Sequence, residues 1–348
     1  MSYANLVSQN CADKPEVFCN IRDFVCKLNG TYNDYSASGI GWTLHDASYA
    51  VDADNPQLND WFVVKSTGES TKDTLYYLIT WGSNQIGLYQ NLVWNNVTHA
   101  GSSPQVGGTS VLAISETTSL NVDLNIFGDL DQVAVACEII SMATDYRSLL
   151  FGKVEKPFLG MSEDIATCSS SLSAGSDVSI TVDTVPSTWM VGGELFIWTT
   201  TDTTVTAKIE KTTIKTLVGS TITCDLTNSY TADCRLSEHF GYFCQNTATL
   251  GNGYTLIGPD GSESVAMSGV YFDTGIAGSN ADPGGYEDRY GMAPIAVSGS
   301  SGFLGYLRNV FAVGSTGLTV KDVLVTRDGT EYRYLKMYPS QYRVFKEV

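Results

Sequence analysis

A chain of 348 residues with 43% hydrophobic and 11% aromatic side chains has apolar material for one large core or for two to three domains, which excludes an intrinsically disordered chain. Only 16% of the residues are charged, and the balance is strongly acidic, with a formal net charge of −17. A field of that sign repels phosphate backbones and anionic lipid heads, so nucleic-acid or membrane-surface binding would need a local basic patch.

The first ten residues, MSYANLVSQN, have neither a basic n-region nor an apolar h-region, and no stretch approaches the roughly 18 apolar residues of a membrane span. The expectation is a protein made in a cytosol-like compartment, without a membrane span. Its cysteines (Cys11, Cys19, Cys26, Cys137, Cys168, Cys224, Cys234 and Cys244) are too sparse for a disulfide scaffold. They are expected to be buried free thiols, with one or two bridges open to form in an oxidising exterior.

The first predicted element is a helix over residues 14–28. Asp13-Lys14-Pro15-Glu16 fits a capping box, with Asp13 as the cap and Glu16 returning a bond to the Asp13 N–H. Phe18, Ile21, Val25 and Leu28 follow the helical period, and Asn29-Gly30 offers a left-handed stop. Cys19 and Cys26 would lie about 10 Å apart along such a helix, too far to bridge each other.

Beyond Gly30 the pattern turns to strands. Tyr35 to Tyr49 contains Gly39-Ile40-Gly41-Trp42; Trp61 to Lys65 reads as a buried strand, and Leu75 to Trp81 as its hairpin partner. Ile86–Val93, Val111–Ile114, Leu120–Phe127 and Val133–Ile140 continue the rhythm, which is that of a sandwich or jelly roll. Residues 158–172 interrupt it. Strict alternation follows through Val178, Ile180 and Val182, then Glu194–Trp198, Val205–Ile209 and Thr221–Cys224, and suits a small barrel. After Phe240 strand signals resume at Tyr254–Ile257, Val265–Phe272, Phe303–Val313, Leu318–Val325 and Tyr332–Tyr338, with a Gly/Asp/Asn/Pro loop over 277–290. The expected fold is mainly β. A large β-sandwich or jelly-roll-like domain is built from residues 1–160 and 239–348, with a small β-barrel inserted at 161–238 and one N-terminal helix.

Catalytic equipment is sparse. There are three histidines, His45, His99 and His239, none in a recognisable motif. No glycine precedes Lys-Ser or Lys-Thr as a Walker A loop requires, and no Gly-x-Ser-x-Gly elbow occurs. Gly39-x-Gly41-x-x-Leu44 fails a dinucleotide fingerprint at its last position. His45 and Asp46, adjacent on a strand, would point to opposite faces. Cys234-x4-His239-x4-Cys244 matches half of a zinc knuckle, but Thr231 stands where a further cysteine is needed. Asp52-Ala53-Asp54-Asn55-Pro56 begins like a calcium loop and then departs from it at Pro56. The reading is a non-enzymatic chain with no cofactor and no metal. A glycan hydrolase, which needs only two carboxylates at about 5–10 Å, remains as a third alternative.

The positive signals are aromatic. Trp42, Trp61, Trp81, Trp94, Trp189 and Trp198, with 19 tyrosines, suit a sandwich core, protein interfaces or sugar-stacking platforms. Lys321, Arg327, Arg333, Lys336, Arg343 and Lys346 are interleaved with acidic residues and read as a solvated strand face, with no nucleic acid as partner. Tyr332, Tyr334, Lys336 and Tyr338 alternate with Arg333, Leu335 and Met337. Tyr332, Arg333, Tyr334, Lys336 and Tyr338 are the candidate contact with an acidic surface of a neighbouring subunit, the alternative being a strand packed within its own sandwich.

Three stretches carry a family resemblance. One runs from Gly41-Trp42 through Asp60–Gly68 to Leu75-Tyr76-Tyr77; the second is Leu149–Val154. The third is the small unit with Val191–Trp198, Thr221–Leu226 and Tyr230-Thr231-Ala232. Together these resemble tailed-bacteriophage virion structural proteins of the tail, neck, baseplate or capsid surface. The resemblance implies a non-enzymatic role by symmetric multimeric assembly, with copies of itself and other virion proteins as partners. It also implies location in the virion after assembly in the host cytoplasm. The alternative is a carbohydrate-binding adhesin or receptor-binding protein of the particle.

Overall fold

The computed structural model describes residues 4–49, 56–68, 74–82, 85–101, 106–107, 121–139, 145–155, 164–199 and 208–238, and beyond these the backbones of strands between 242 and 347. The protein is mainly β, with antiparallel sheets and one helix among the described residues.

The helix spans Lys14–Cys26. Asp13 Oδ1 accepts from the Glu16 N–H at 2.9 Å, and Glu16 Oε2 accepts in return from the Ala12 N–H at 2.7 Å, one residue earlier than the capping-box expectation. The left-handed residue that stops the helix is Lys27 (φ 56°), not Asn29-Gly30. The reason is tertiary. The Gly39–Trp42 segment crosses the helix end and satisfies its last carbonyls: Ile40 N–H bonds to Phe24 O, and the N–H groups of Gly41 and Trp42 bond to Val25 O at 3.0 and 2.9 Å. A Cβ at residue 39 would sit 2.6 Å from Phe24 O, so the glycine permits this crossing. The Gly-x-Gly spacing thus serves helix-terminal packing.

Two sheets enclose the main core. The five-stranded sheet runs in the order Thr43–Ala47, Trp61–Ser66, Leu75–Gly82, Gln85–Asn91, Val106–Gly107. The twelve-stranded sheet begins Ala4–Cys11, Val122–Gly128, Gln132–Ile139, Asp145–Glu155, and continues through Tyr242–Gln245, Tyr254–Gly258, Gly261–Gly269 and Ala293–Gly299. It ends with Gly302–Ala312, Gln341–Glu347, Glu331–Tyr338 and Val323–Val325. Val154 and Glu155 also pair with Leu307 and Tyr306, tying the far part of this sheet back to strand Asp145–Glu155. The 1–160 and 239–348 segments therefore share one sheet. The predicted strand at 111–114 and the loop at 277–290 lie outside the described residues.

Phe62, Val64, Tyr77, Ile79 and Leu88 pack in one core with Leu124, Ile126, Val135, Leu149 and Phe151, and Phe18, Ile21 and Val25 of the helix join it. Three polar bonds clamp the sheets together: Trp42 Nε1–H to Asp129 O (2.8 Å), Ser66 Oγ–H to Leu130 O (2.5 Å) and Tyr77 Oη–H to Gly152 O (2.6 Å). Strand Trp61–Ser66 is covered on both faces. Phe62 and Val64 point to the main core, while Val63 faces a second cluster with Tyr76, Leu78 and Trp94 against which Trp61 and Tyr89 pack.

Residues 164–238 form a small unit with its own core, but two open sheets replace the expected closed barrel. One sheet has the order Ala166–Cys168, Cys234–Ser237, Glu194–Trp198, Ile209–Thr213; the other has Gly175–Thr181, Thr221–Leu226, Thr216–Val218. Ile180, Ile222 and Cys224 face Cys168, Leu195, Ile197 and Leu236 between them. At one seam a single backbone bond, Asp183 N–H to Thr167 O at 2.9 Å, stands where a closed barrel needs a continuous ladder. Strand Glu194–Trp198 joins the unit to the main body: Leu195 and Ile197 fill the small core, and Phe196 and Trp198 belong to the large one.

Candidate functional site: an aromatic ledge with a histidine–aspartate pair

Among the described residues, the outer face of the five-stranded sheet brings together Asp46, Trp61, Trp94 and His99. A short hairpin, Trp94–Asn95 paired with Ala100–Gly101, folds over it. Asn95 Oδ1 accepts from the N–H groups of Val97 (2.9 Å) and Thr98 (3.1 Å), which winds the tip into an Asx-type turn. The turn leaves His99 in the left-handed region at φ 53°, an uncommon conformation for a residue with a Cβ.

That strain aims the imidazole at Asp46. His99 Nδ1 lies 2.9 Å from Asp46 Oδ2 and 3.2 Å from Oδ1. The same carboxylate accepts from Trp94 Nε1–H at 2.8 Å and from the Ala47 N–H at 2.9 Å. In the neutral ring, an acceptor-only carboxylate places the proton on Nδ1 and leaves the Nε2 lone pair as an acceptor. The Asp46 side chain is 8% exposed and that of His99 56%, so a buried anion orients an accessible ring. Trp61 lies 5.7 Å from the Trp94 ring and 5.9 Å from the His99 ring. It is only half-buried, whereas the other five tryptophans are buried.

Such a ledge can stack on a flat apolar face and accept a hydrogen bond from a hydroxyl at Nε2. Among the described residues, the hydroxyl two residues beyond Asp46 is already engaged. Ser48 Oγ–H donates to Asp60 Oδ1 and accepts from the Trp61 N–H, both at 2.9 Å, and is spent on the turn. Asp60 in turn accepts from the Gln57 N–H at 2.6 Å. Both carboxylates near the ledge are therefore engaged with the protein itself.

From the sequence Asp46 had no partner, His45 being set aside as its neighbour on the strand; the structure pairs Asp46 with His99, across 53 residues. A register shift falls between Leu44 and Asp46, and the His45 ring packs edge-on to Tyr76 at 5.2 Å. The available signal was Trp94-Asn95-Asn96 followed by Gly101, a turn bounded by residues that suit a hairpin.

The C-terminal candidates Tyr332, Arg333, Tyr334, Lys336 and Tyr338 lie on strand Glu331–Tyr338, placed between Val323–Val325 and Gln341–Glu347. Their side chains lie outside the described residues, and the register shifts between Lys336 and Tyr338. Of the half zinc knuckle, Cys234 sits in the small unit opposite Cys168, and His239 is outside the described residues, as are 52–55 of the calcium-like stretch. Among the described residues no group of three or more metal-ligating side chains converges, and no helix is long and apolar enough to cross a membrane.

A second concavity, on the small unit, has a volume of about 550 Å³ and is lined by Lys211, Thr212, Lys215, Asp225 and Thr227 among others. Lys215 bridges Asp177 and Asp225 at 2.8 and 2.5 Å, which raises the amine pKa and lowers that of Asp225. It is a polar groove whose charges neutralise one another, with no aromatic platform in its lining.

Comparison with models of known protein families, with curated proteins and with solved structures gives no match.

Proposed function

We propose that this chain is a non-enzymatic structural component of a bacteriophage virion, in the tail, neck or baseplate, acting through symmetric assembly of many copies. The sequence resemblance to tailed-phage virion proteins supports this reading, and one structural observation carries it further. The small unit, anchored through Phe196 and Trp198, presents large aliphatic side chains to solvent: Met190 and Val191 (66% and 61% exposed) before strand Glu194–Trp198, and Val218 (76%) at the end of strand Thr216–Val218. In a chain with few charges, such side chains suit the apolar centre of a subunit contact. Electron microscopy of the purified full chain, with mass photometry, tests the proposal. Rings or other closed multimers that dissociate on Met190→Asp with Val191→Asp are expected. A monomer at every concentration, unchanged by those substitutions, would refute it.

The aromatic ledge favours a second reading, glycan contact by the same particle protein. Trp61 stacking on a sugar face, with His99 Nε2 accepting from a hydroxyl, is the geometry a lectin-like site uses. A glycan array separates the two: specific binding lost in Trp61→Ala supports the ledge, and release of cleaved sugar would instead point to hydrolysis.

A further inference from the structure

Cys168 and Cys234 are directly opposed residues of antiparallel strands, Ala166–Cys168 and Cys234–Ser237. Both are buried and reduced. These strands are where the chain enters and leaves the small unit. Asp233, at φ 69°, donates its N–H to Cys168 O at 2.7 Å and so fixes how Cys234 faces its partner. Opposed residues of an antiparallel pair have Cβ atoms about 4.5–5.5 Å apart, only slightly beyond the roughly 3.5–4.5 Å of a disulfide.

The register makes this pair distinctive among the described cysteines. Cys224 is opposite Val178, Cys11 is opposite Val122, and Cys137 lies between Leu124 and Arg147. Cys19 and Cys26 are separated along the helix. We propose that Cys168 and Cys234 are an oxidation site that closes to an intramolecular disulfide with hydroperoxides, stapling the entry and exit strands of the small unit.

The chemistry balances in two steps. The Cys168 thiolate attacks a peroxide oxygen; an S–O bond forms, the O–O bond breaks and hydroxide leaves as water after taking a proton. Cys168 is now a sulfenic acid. Cys234 sulfur then attacks Cys168 sulfur; the S–S bond forms, the S–O bond breaks and a second water departs with the Cys234 proton. Two thiols lose two electrons in all, and one hydrogen peroxide becomes two waters.

Several features favour Cys168 as the first to react. The hydrogen bond from the Cys234 thiol lowers its pKa, and Cys234 is raised by that same bond. Ala166–Cys168 is an end strand of its sheet, followed at once by exposed Ser169, Ser170 and Ser171, so a small oxidant has a short path. The bridge closes a long loop between residues 168 and 234, which predicts a rise in the melting temperature of the unit of about 10 °C or more.

The test is non-reducing peptide mapping of the full chain after mild hydrogen peroxide. A linked Cys168–Cys234 peptide pair, reversed by dithiothreitol, is expected. In Cys234→Ser, dimedone should instead trap a sulfenic acid at Cys168 at several times the wild-type yield. Wild-type protein with no linked pair, under conditions that oxidise a free-cysteine control, would overturn the proposal, as would equal dimedone labelling of both proteins. The wild-type map decides alone if the variant does not fold.

Discussion

Tyr76 and Tyr77 are adjacent, both fully buried, and on opposite faces of strand Leu75–Gly82, so the same substitution reads two environments. Tyr77 Oη–H donates to Gly152 O at 2.6 Å and accepts from the Gly152 N–H at 3.1 Å, across the two sheets of the main body. Tyr77→Phe keeps the ring contacts with Trp42 and Phe151 and removes only the oxygen. Two buried backbone groups then lose a partner. At about 1–3 kcal/mol for each unsatisfied buried group, with partial relaxation, the loss is about 2–4 kcal/mol. The Tyr76 hydroxyl makes no hydrogen bond among the described residues, while its ring is held by Lys65 Nζ at 5.1 Å and by His45. Tyr76→Phe keeps both ring contacts and relieves a buried polar group, so stability is expected to hold within about 0.5 kcal/mol or to rise by about 1 kcal/mol. Urea titrations followed by tryptophan fluorescence compare the midpoints directly. Equal losses in the two variants, or a larger loss in Tyr76→Phe, would refute the assignment of Tyr77 as the clamp between the sheets.

Three further outcomes follow from the packing. Asp23→Ala removes the carboxylate 2.6 Å from the Arg22 guanidinium, itself 1% exposed; the expected cost is about 3–5 kcal/mol by denaturant midpoint, with most of it recovered when Arg22→Met is added. Gly39→Ala forces a Cβ to within 2.6 Å of Phe24 O and 2.7 Å of Lys27 Cα, both backbone atoms, and should cost about 2 kcal/mol or more by thermal melting. Native-state alkylation at neutral pH should label Cys168 well before Cys11, whose thiol burial pushes up to about 12, or Cys137, which burial raises far above an ordinary thiol; peptide mapping checks the order, because rate follows the thiolate fraction.

Much of the architecture was legible from local pattern. Asp13 and Glu16 mark the helix start, because a cap is settled within one turn, and Val63-Val64 with Leu78-Ile79 mark a hairpin, because side-chain alternation needs only neighbours. The small unit announced itself through Ile180, Ile222 and Leu195, but the barrel expected of it is not formed: whether two sheets join edge to edge depends on ladders between distant strands. Strands Ala4–Cys11 and Gln341–Glu347 were not anticipated, since they carry weak alternation and owe their form to the partners they pair with.

The amino-acid sequence by itself determined the β class, the helix and many of the strands, because propensity and period act over a few residues. It could not place His99 beside Asp46, oppose Cys168 to Cys234, or divide the tryptophans into five that are buried and Trp61, which is not. Each of those depends on register between segments tens of residues apart. Only the tertiary structure sets that register, through the bulge at His45, the Asn95 turn and the left-handed Asp233.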